Sequence, residues 1–232
     1  MEIEGAVAVV TGANRGIGLA FTRALLARGA AKVYAGVRDP ARAQEPGVTA
    51  LPLDVTDDEQ IAAAAEAAAD ATIVVNNAGI QAGVALLDGT LEGARREMEV
   101  NYFGTWAVTR AFAPVLAANG GGALVNMLSV ASWRVNMRWP GYAASKAAEW
   151  SLTNALRVGL RPQGTLVVGV HVGFVDTDAT AGVDAPKTAA GEVAALTLDA
   201  LGRDEPEVLV DEVSRQVRAA LSGPVELLEP AR

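Results

Sequence analysis

The chain has 232 residues, 27 acidic groups against 19 basic ones, a formal net charge of −8, no cysteine and one histidine. The acidic excess argues against nucleic acid or an anionic membrane as a partner, because both need basic side chains to neutralise phosphate. Without cysteine there are no disulfides, no thiolate catalysis and no cysteine-ligated zinc, and a single histidine rules out a multi-histidine metal site.

At roughly 150 residues per domain the length allows one or two domains, and because open α/β sheets of this size often form one, a single domain spanning 1–232 is expected. No apolar run reaches the ~20 residues of a membrane span. The acidic start Met1-Glu2-Ile3-Glu4 lacks the basic opening of a signal peptide. The expectation is a cytoplasmic protein.

Short apolar runs alternate with longer helix-like ones along the chain. Ala6 to Val10 reads as a buried strand ending at Thr11-Gly12, followed by a helix over 16–28 that Gly29 closes. Strands follow at Lys32–Gly36 and Thr49–Leu53. Thr56-Asp57-Asp58-Glu59 reads as a capping box, with Thr56 as the cap, opening an alanine-rich helix to about residue 69. The fourth strand is expected at Thr72–Val75. Thr90 then caps a long helix reaching about Ala118, with Pro114 bending it. Ala123–Leu128 and Thr165–Val172 read as strands flanking a helix over 142–161. A helix over 188–201, a short strand at Val208–Val210 and a charged final helix over 211–221 complete the pattern.

Strands alternating with helices imply parallel pairing through right-handed crossovers. The expected fold is α/β, a doubly wound parallel sheet of six to seven strands with helices on both faces. Ligands of such sheets bind beyond the carboxyl ends of the strands. The polar and glycine-rich clusters all fall at that edge: 12–18, Arg38, Asp54, Asn76 to Gly79, Ser129, and Gly173 to Thr177.

One of these clusters and one helical segment carry recognisable chemistry. In Thr11-Gly12-Ala13-Asn14-Arg15-Gly16-Ile17-Gly18, Gly12 permits a tight turn, Gly16 lets the backbone approach a pyrophosphate, and Gly18 lets helix and strand pack closely. The helix start then offers unpaired amides and a positive dipole end to phosphate. In Tyr142-Ala143-Ala144-Ser145-Lys146, a phenol and an ammonium share one helix face, and a nearby positive charge makes a phenol a better acid-base group. Ser129 ends the preceding strand, thirteen residues earlier. At the end of the second strand, Ala35-Gly36-Val37-Arg38 carries no acidic side chain to hold both hydroxyls of an adenosine ribose. Arg38 and Arg15 flank that position instead, and a guanidinium suits a 2′-phosphate. Asp39 reads as a cap for the turn at Pro40.

Together these motifs resemble the short-chain dehydrogenase/reductase family over residues 5 to about 178, with its Rossmann-type fold. The glycine motif matches Thr11 to Gly18. The adenine-side aspartate matches Asp54 in Leu53-Asp54-Val55, and the structural motif matches Asn76-Asn77-Ala78-Gly79. The catalytic set matches Asn101, Ser129, Tyr142 and Lys146. The resemblance implies that Tyr142 is the general acid in carbonyl reduction and that Ser129 holds the carbonyl oxygen. Lys146 would bind the nicotinamide ribose and favour ionisation of Tyr142, while Asn101 anchors a water for proton relay. It implies a dinucleotide site built from Gly12, Asn14, Arg15, Gly16, Ile17, Gly18, Arg38, Asp54, Val55, Asn77, Ala78, Gly79, Tyr142, Lys146, Val175 and Thr177. NADP(H) is the expected cofactor, with NAD(H) as the alternative.

The chain departs from the family in three places. Val172-Gly173 replaces the usual Pro-Gly, the segment after Thr177 is short, and a charged helix replaces the usual glycine-rich C-terminal segment. The substrate is expected to be a small-molecule ketone or aldehyde, apolar or aromatic, in a pocket drawn from Trp133, Met137, Trp139 and Phe174. For the three residues between Ser129 and Tyr142, a pocket wall and plain packing stay equally open. No metal site is expected: Asp176 and Asp178 lack further ligands, and His171 reads as a packed histidine. The family's usual pairing implies a homodimer through the helices at 91–118 and 142–161, with apolar contacts from Ala107, Ala111, Phe112, Trp150 and Leu152. The alternatives are an NAD-linked secondary-alcohol dehydrogenase and a catalytically silent dinucleotide-binding regulator.

Overall fold

A computed structural model of the chain describes residues 1–88, 90–134 and 137–228. Seven strands form one parallel sheet: β1 (Val7–Thr11), β2 (Lys32–Val37), β3 (Val48–Pro52), β4 (Ile73–Asn76), β5 (Ala123–Met127), β6 (Leu166–His171) and, at the far edge, β9 (Glu207–Leu209). Their spatial order is β3-β2-β1-β4-β5-β6-β9, so the winding reverses between β1 and β4. The register sets Val10 beside both Ala35 and Val75, which lines up the strand ends that follow. A separate two-stranded ladder pairs β7 (Val175–Asp176) with β8 (Thr188–Ala189).

The period of two along each strand decides which layer each side chain joins. Ala8 and Val10 face one layer with Phe21 and Leu25 of α1 (Gly16–Ala27) and Leu198 and Leu201 of α6 (Ala190–Gly202). Val9, between them, faces the other layer with Ile61 of α2 (Asp58–Ala67) and Phe112 and Leu116 of α4 (Thr105–Ala118). Each large side chain buried this way contributes roughly 1.5–3 kcal/mol. The expected α/β doubly wound sheet is therefore present, with seven strands. α3 (Glu92–Met98) and α5 (Pro140–Gly159) pack on each other, and α7 (Glu212–Ala220) lies against β9.

The long helix expected from Thr90 is interrupted elsewhere than at Pro114. A π segment, Glu99–Gly104, separates α3 from α4, and Leu91 precedes the helix without a side-chain cap. Gly104 allows this: a Cβ there would stand 2.8 Å from Val55 Cγ2 and 3.0 Å from the Val55 carbonyl. The α2 cap also differs. Asp57, not Thr56, accepts from the amides of Glu59 and Gln60, at 3.0 and 3.1 Å. Thr56 turns back to Asp54 Oδ1 at 2.8 Å, because the carboxylate one residue nearer the helix has the better reach.

Of the apolar contacts expected for a dimer, Phe112 and Leu152 are buried within the chain's own core and are not available. The large apolar side chains exposed on these spans are Leu91, Phe103, Trp106 and Val158, of which Phe103 and Trp106, 47% and 40% exposed, group around Tyr102. Among the described residues no helix is long and apolar enough to cross a membrane.

A polar seam runs through the layer between the sheet and α4 and α5. Asn76 Nδ2 donates to Thr109 Oγ1 (3.1 Å) and Asn126 Oδ1 (2.9 Å), and Asn126 Nδ2 donates to Thr153 Oγ1 (2.9 Å). Thr153 donates onward to the Glu149 carbonyl at 2.8 Å. Buried amides are tolerated here because they bond to one another.

Candidate active site

The turn after β1 is shaped by glycine. Gly12 and Gly16 hold φ of +67° and +54°, in the region L side chains avoid. A Cβ on Gly18 would land on the Gly12 carbonyl and stand 2.6 Å from Asn77 Nδ2. The turn is tied to the loop after β4. Thr11 Oγ1 accepts from the amides of Asn77 and Ala78, both at 2.9 Å, and Asn77 Nδ2 donates to the Thr11 carbonyl at 2.8 Å. The first turn of α1 has no side-chain cap and no acidic residue, whereas α2 is capped by Asp57 and begins with Asp58 and Glu59. The α1 amides are thus left for an anion. This cradle, which a Cβ would fill, fits the pyrophosphate of a dinucleotide. Thr177 adjoins it, with its methyl 3.2 Å from a Cβ built on Gly16.

At the end of β2, Arg38 is exposed, and Asp39 is committed to capping the turn through the Ala41 amide at 3.1 Å. Arg15 is exposed and lies 3.7 Å from Asp178, an exposed pair that holds it weakly. Asp54 accepts through Oδ1 from Thr56, next to the buried Val55. A groove of about 580 Å³ runs beside the glycine turn between α1 and the 176–191 segment, with Gly16, Leu19, Arg23, Asp176 and Thr177 among its lining.

The other half of the edge holds the catalytic candidates. Tyr142 and Lys146 lie one turn apart on α5, and Lys146 Nζ is 6.0 Å from the centre of the Tyr142 ring. Ser129 follows β5; its Oγ accepts from the Ala131 amide at 3.1 Å and lies 3.5 Å from the Val172 carbonyl. Asn101 lies in the π segment, the kind of helix irregularity that recurs at functional sites. Its Oδ1 accepts from the Ile80 amide (2.8 Å), and its Nδ2 donates to the Ile80 carbonyl and to Ser145 Oγ, both at 2.9 Å. Both amide hydrogens are used. On the side chain, the water that the resemblance assigns to Asn101 therefore has only the second lone pair of Oδ1 to bind.

Two buried carboxylates were not legible as site residues. Glu149 Oε2 stands 2.6 Å from Lys146 Nζ, which also donates to the Met127 carbonyl at 2.7 Å. Burial pulls the Lys146 ammonium down, but the charge of Glu149 holds it above the ordinary lysine value, and burial pushes Glu149 up. The signal for this pair is its spacing: Lys146 and Glu149 stand three apart on one helix. Glu97, fully buried on α3, accepts from the Ala82 amide at 2.6 Å and lies against Gly141 at the start of α5.

The pocket candidates separate. Trp133 is 8% exposed and stacks on His171 with ring centres 3.7 Å apart, so of its two readings packing is the one supported. His171 is fully buried. Its Nδ1 lies 3.2 Å from the Ser129 carbonyl, and burial lowers it to about 3, which keeps it neutral. Trp139 and Phe174 meet edge to face at 5.9 Å, and Met137 is exposed. Asp211 caps α7 and accepts from the Gly173 amide at 2.7 Å. It restrains the loop that lacks the family's proline. Among the described residues no group of three or more His, Asp or Glu side chains could hold a metal.

The profile of the short chain dehydrogenase family matches residues 6–188. A 1-deoxy-11-beta-hydroxypentalenate dehydrogenase from Streptomyces exfoliatus is 37% identical over 226 residues, covering 88% of this chain and 82% of that one. The crystal structure of a short chain dehydrogenase from Burkholderia cenocepacia J2315 in complex with NADP superposes with a TM-score of 0.94 at 40% identity, over 99% of this chain and all of that one. A short chain dehydrogenase/reductase from Burkholderia phymatum in complex with NAD matches with a TM-score of 0.85 at 25% identity, over 100% of this chain and 98% of that one. The chain belongs to the short chain dehydrogenase family, as an NAD(P)-dependent oxidoreductase.

Proposed function

We propose that the chain reduces a ketone or aldehyde to the alcohol with NADPH, reversibly. The cofactor supplies the hydride when bound. Tyr142 gives the carbonyl oxygen its proton, and Ser129 donates a hydrogen bond to the same oxygen as negative charge develops on it. Lys146 holds the nicotinamide ribose. Asn101 fixes the loop at Ile80 beside the site, through both groups of one peptide residue. The α1 amides and Thr177 hold the phosphates and the carboxamide, with Asp54, Val55, Ala78 and Gly79 on the adenine and ribose side. The edge-to-face pair Trp139 and Phe174 favours an apolar or aromatic substrate.

The observation that carries the cofactor preference is the end of β2. No acid stands at Gly36 or Val37, Asp39 is spent on its own turn, and Arg38 and Arg15, which end the β2 and β1 turns, are both exposed. The NADP in the Burkholderia cenocepacia relative supports the same reading. The test is kcat/KM for NADPH and NADH with a panel of carbonyl compounds, in wild type and Arg38→Ala. Wild type should favour NADPH, and the variant should lose roughly tenfold or more of that preference, as expected for a charge-assisted bond. Equal use of the two cofactors by wild type, or an unchanged preference in the variant, would overturn it. We also propose a homodimer through α4 and α5, with Phe103 and Trp106 as its exposed apolar side chains. Light scattering showing a stable monomer at micromolar concentration would count against it.

A further inference from the structure

Glu149 lies outside every motif that marks this site, yet it is the charge in direct contact with Lys146. It is 1% exposed, and its Oε2 meets Lys146 Nζ at 2.6 Å. The carboxylate is itself held from α4, where Thr105 Oγ1 donates to Oε1 at 3.2 Å. The Met127 carbonyl of β5 takes a second bond from Lys146 at 2.7 Å. An ammonium has three donors. Two of those on Lys146 are spent inside the protein, which leaves one for the open edge of the sheet. A buried ammonium without a counter-charge gives up its proton rather than its solvation.

We infer that Glu149 is a positioning residue for the proposed reaction: it clamps Lys146 from beneath, in its charged form, with a single N–H left for the nicotinamide ribose. The inference rests on the reading of Lys146 as the ribose-binding group. Other groups around the pair do not replace Glu149. Tyr142 lies one turn earlier on α5. Glu97 of α3 is buried against Gly141 and bonded to Ala82. His171 of β6 is neutral. The π segment brings Glu99, exposed, and Tyr102, half-buried in an aromatic group. Arg110 of α4 is exposed, Arg157 of α5 bonds to Asn154, and Arg218 of α7 pairs with Glu207. β5 and the turn over 130–132 carry no charged side chain.

The chain has three lysines, Lys32, Lys146 and Lys187, so side-chain NMR can follow the Lys146 ammonium directly. In the cofactor-free wild type it should titrate above the ordinary lysine value. In Glu149→Gln, where Tyr142 is the remaining group that opposes burial, it should titrate below that value by about one pH unit or more. NADPH binding, followed by cofactor fluorescence from roughly pH 7 to 10, should stay flat in wild type. In Glu149→Gln it should weaken about tenfold as the pH rises through the lowered Lys146 titration.

Lys146→Met should bind NADPH weakly at every pH. If it binds as wild type does, the ribose reading fails and the inference fails with it. If Lys146→Met weakens binding but Glu149→Gln keeps the wild-type titration, or loses affinity equally at all pH, the inference alone fails. Should Glu149→Gln not fold, the wild-type titration decides: a Lys146 ammonium at or below the ordinary lysine value overturns it.

Discussion

The cofactor edge and the substrate rim of this molecule are held together in different ways. At the cofactor edge, the contacts converge on backbone: Thr11 Oγ1 accepts from two backbone amides of the β4 loop, and Gly18 packs against the Gly12 carbonyl where no Cβ fits. At the rim, side chains meet side chains: Trp139 leans on Phe174, Met137 is exposed, and two strands of two residues each make the nearby ladder. Backbone geometry tolerates few residue types, so it writes motifs; side-chain contacts tolerate many, so they do not. A chain of this kind therefore declares its cofactor class openly and its substrate hardly at all.

The sharpest way to separate the two regions is Tyr142→Phe, which acts at their junction. Turnover should fall by at least about a hundredfold, while NADPH binding measured by fluorescence should be unchanged. A variant that keeps more than about a tenth of its activity would show that Tyr142 is not the acid. Gly18→Ala strikes the cofactor edge alone. A methyl driven onto the Gly12 carbonyl should cost about 1–3 kcal/mol by denaturant titration and displace the turn enough to weaken NADPH binding. A fully stable variant with normal affinity would mean that the turn is less rigid than its contacts imply.

His171 lies behind both regions, and its effect should be read in pH. Unfolded, it takes a proton near pH 6.5; folded, it stays neutral down to about 3. Its contribution to stability is thus complete above roughly pH 6.5 and is lost as the pH falls towards 3, by a few kcal/mol at most. His171→Phe keeps a ring against Trp133 and should flatten that part of the stability–pH curve. An unchanged curve would place the acid sensitivity elsewhere. Trp139→Ala should do least. KM for an aromatic ketone should rise a few-fold with the unfolding midpoint unmoved, since the ring lies on the rim. A loss of stability without a change in KM would make Trp139 a packing residue, as Trp133 already is.

The succession of strands and helices and the edge that collects the polar clusters were readable because apolar runs, glycine turns and crossover lengths follow from short-range rules. The candidate catalytic residues were named through resemblance, their geometry through none of these. Asn101 came as a member of a set, but the π segment that carries it leaves no mark in composition. Pro114 attracted attention instead, although the helix accommodates it within α4. Glu149 was hidden because a charged residue on an alanine-rich helix usually faces water, and only the packing of α4 onto α5 shows that it does not. Asp211 was hidden because its partner, Gly173, is 38 residues away. In each of these cases the missing information is tertiary: which neighbour arrives from another part of the chain.

The π segment has a consequence for how this chain can change. Each residue of an α-helix advances about 100° around its axis. Between Glu99 and Gly104 the winding is looser, so the faces of α3 and α4 are out of step with a continuous α-helix. Deleting one residue there would let the stretch rewind as ordinary α-helix, leaving Phe112 and Leu116 on the sheet and Glu97 at Gly141. What would be lost is the bulge itself, and with it the placement of Asn101 against Ile80. The same deletion inside α4 would instead swing everything on one side of the cut round by about a quarter turn.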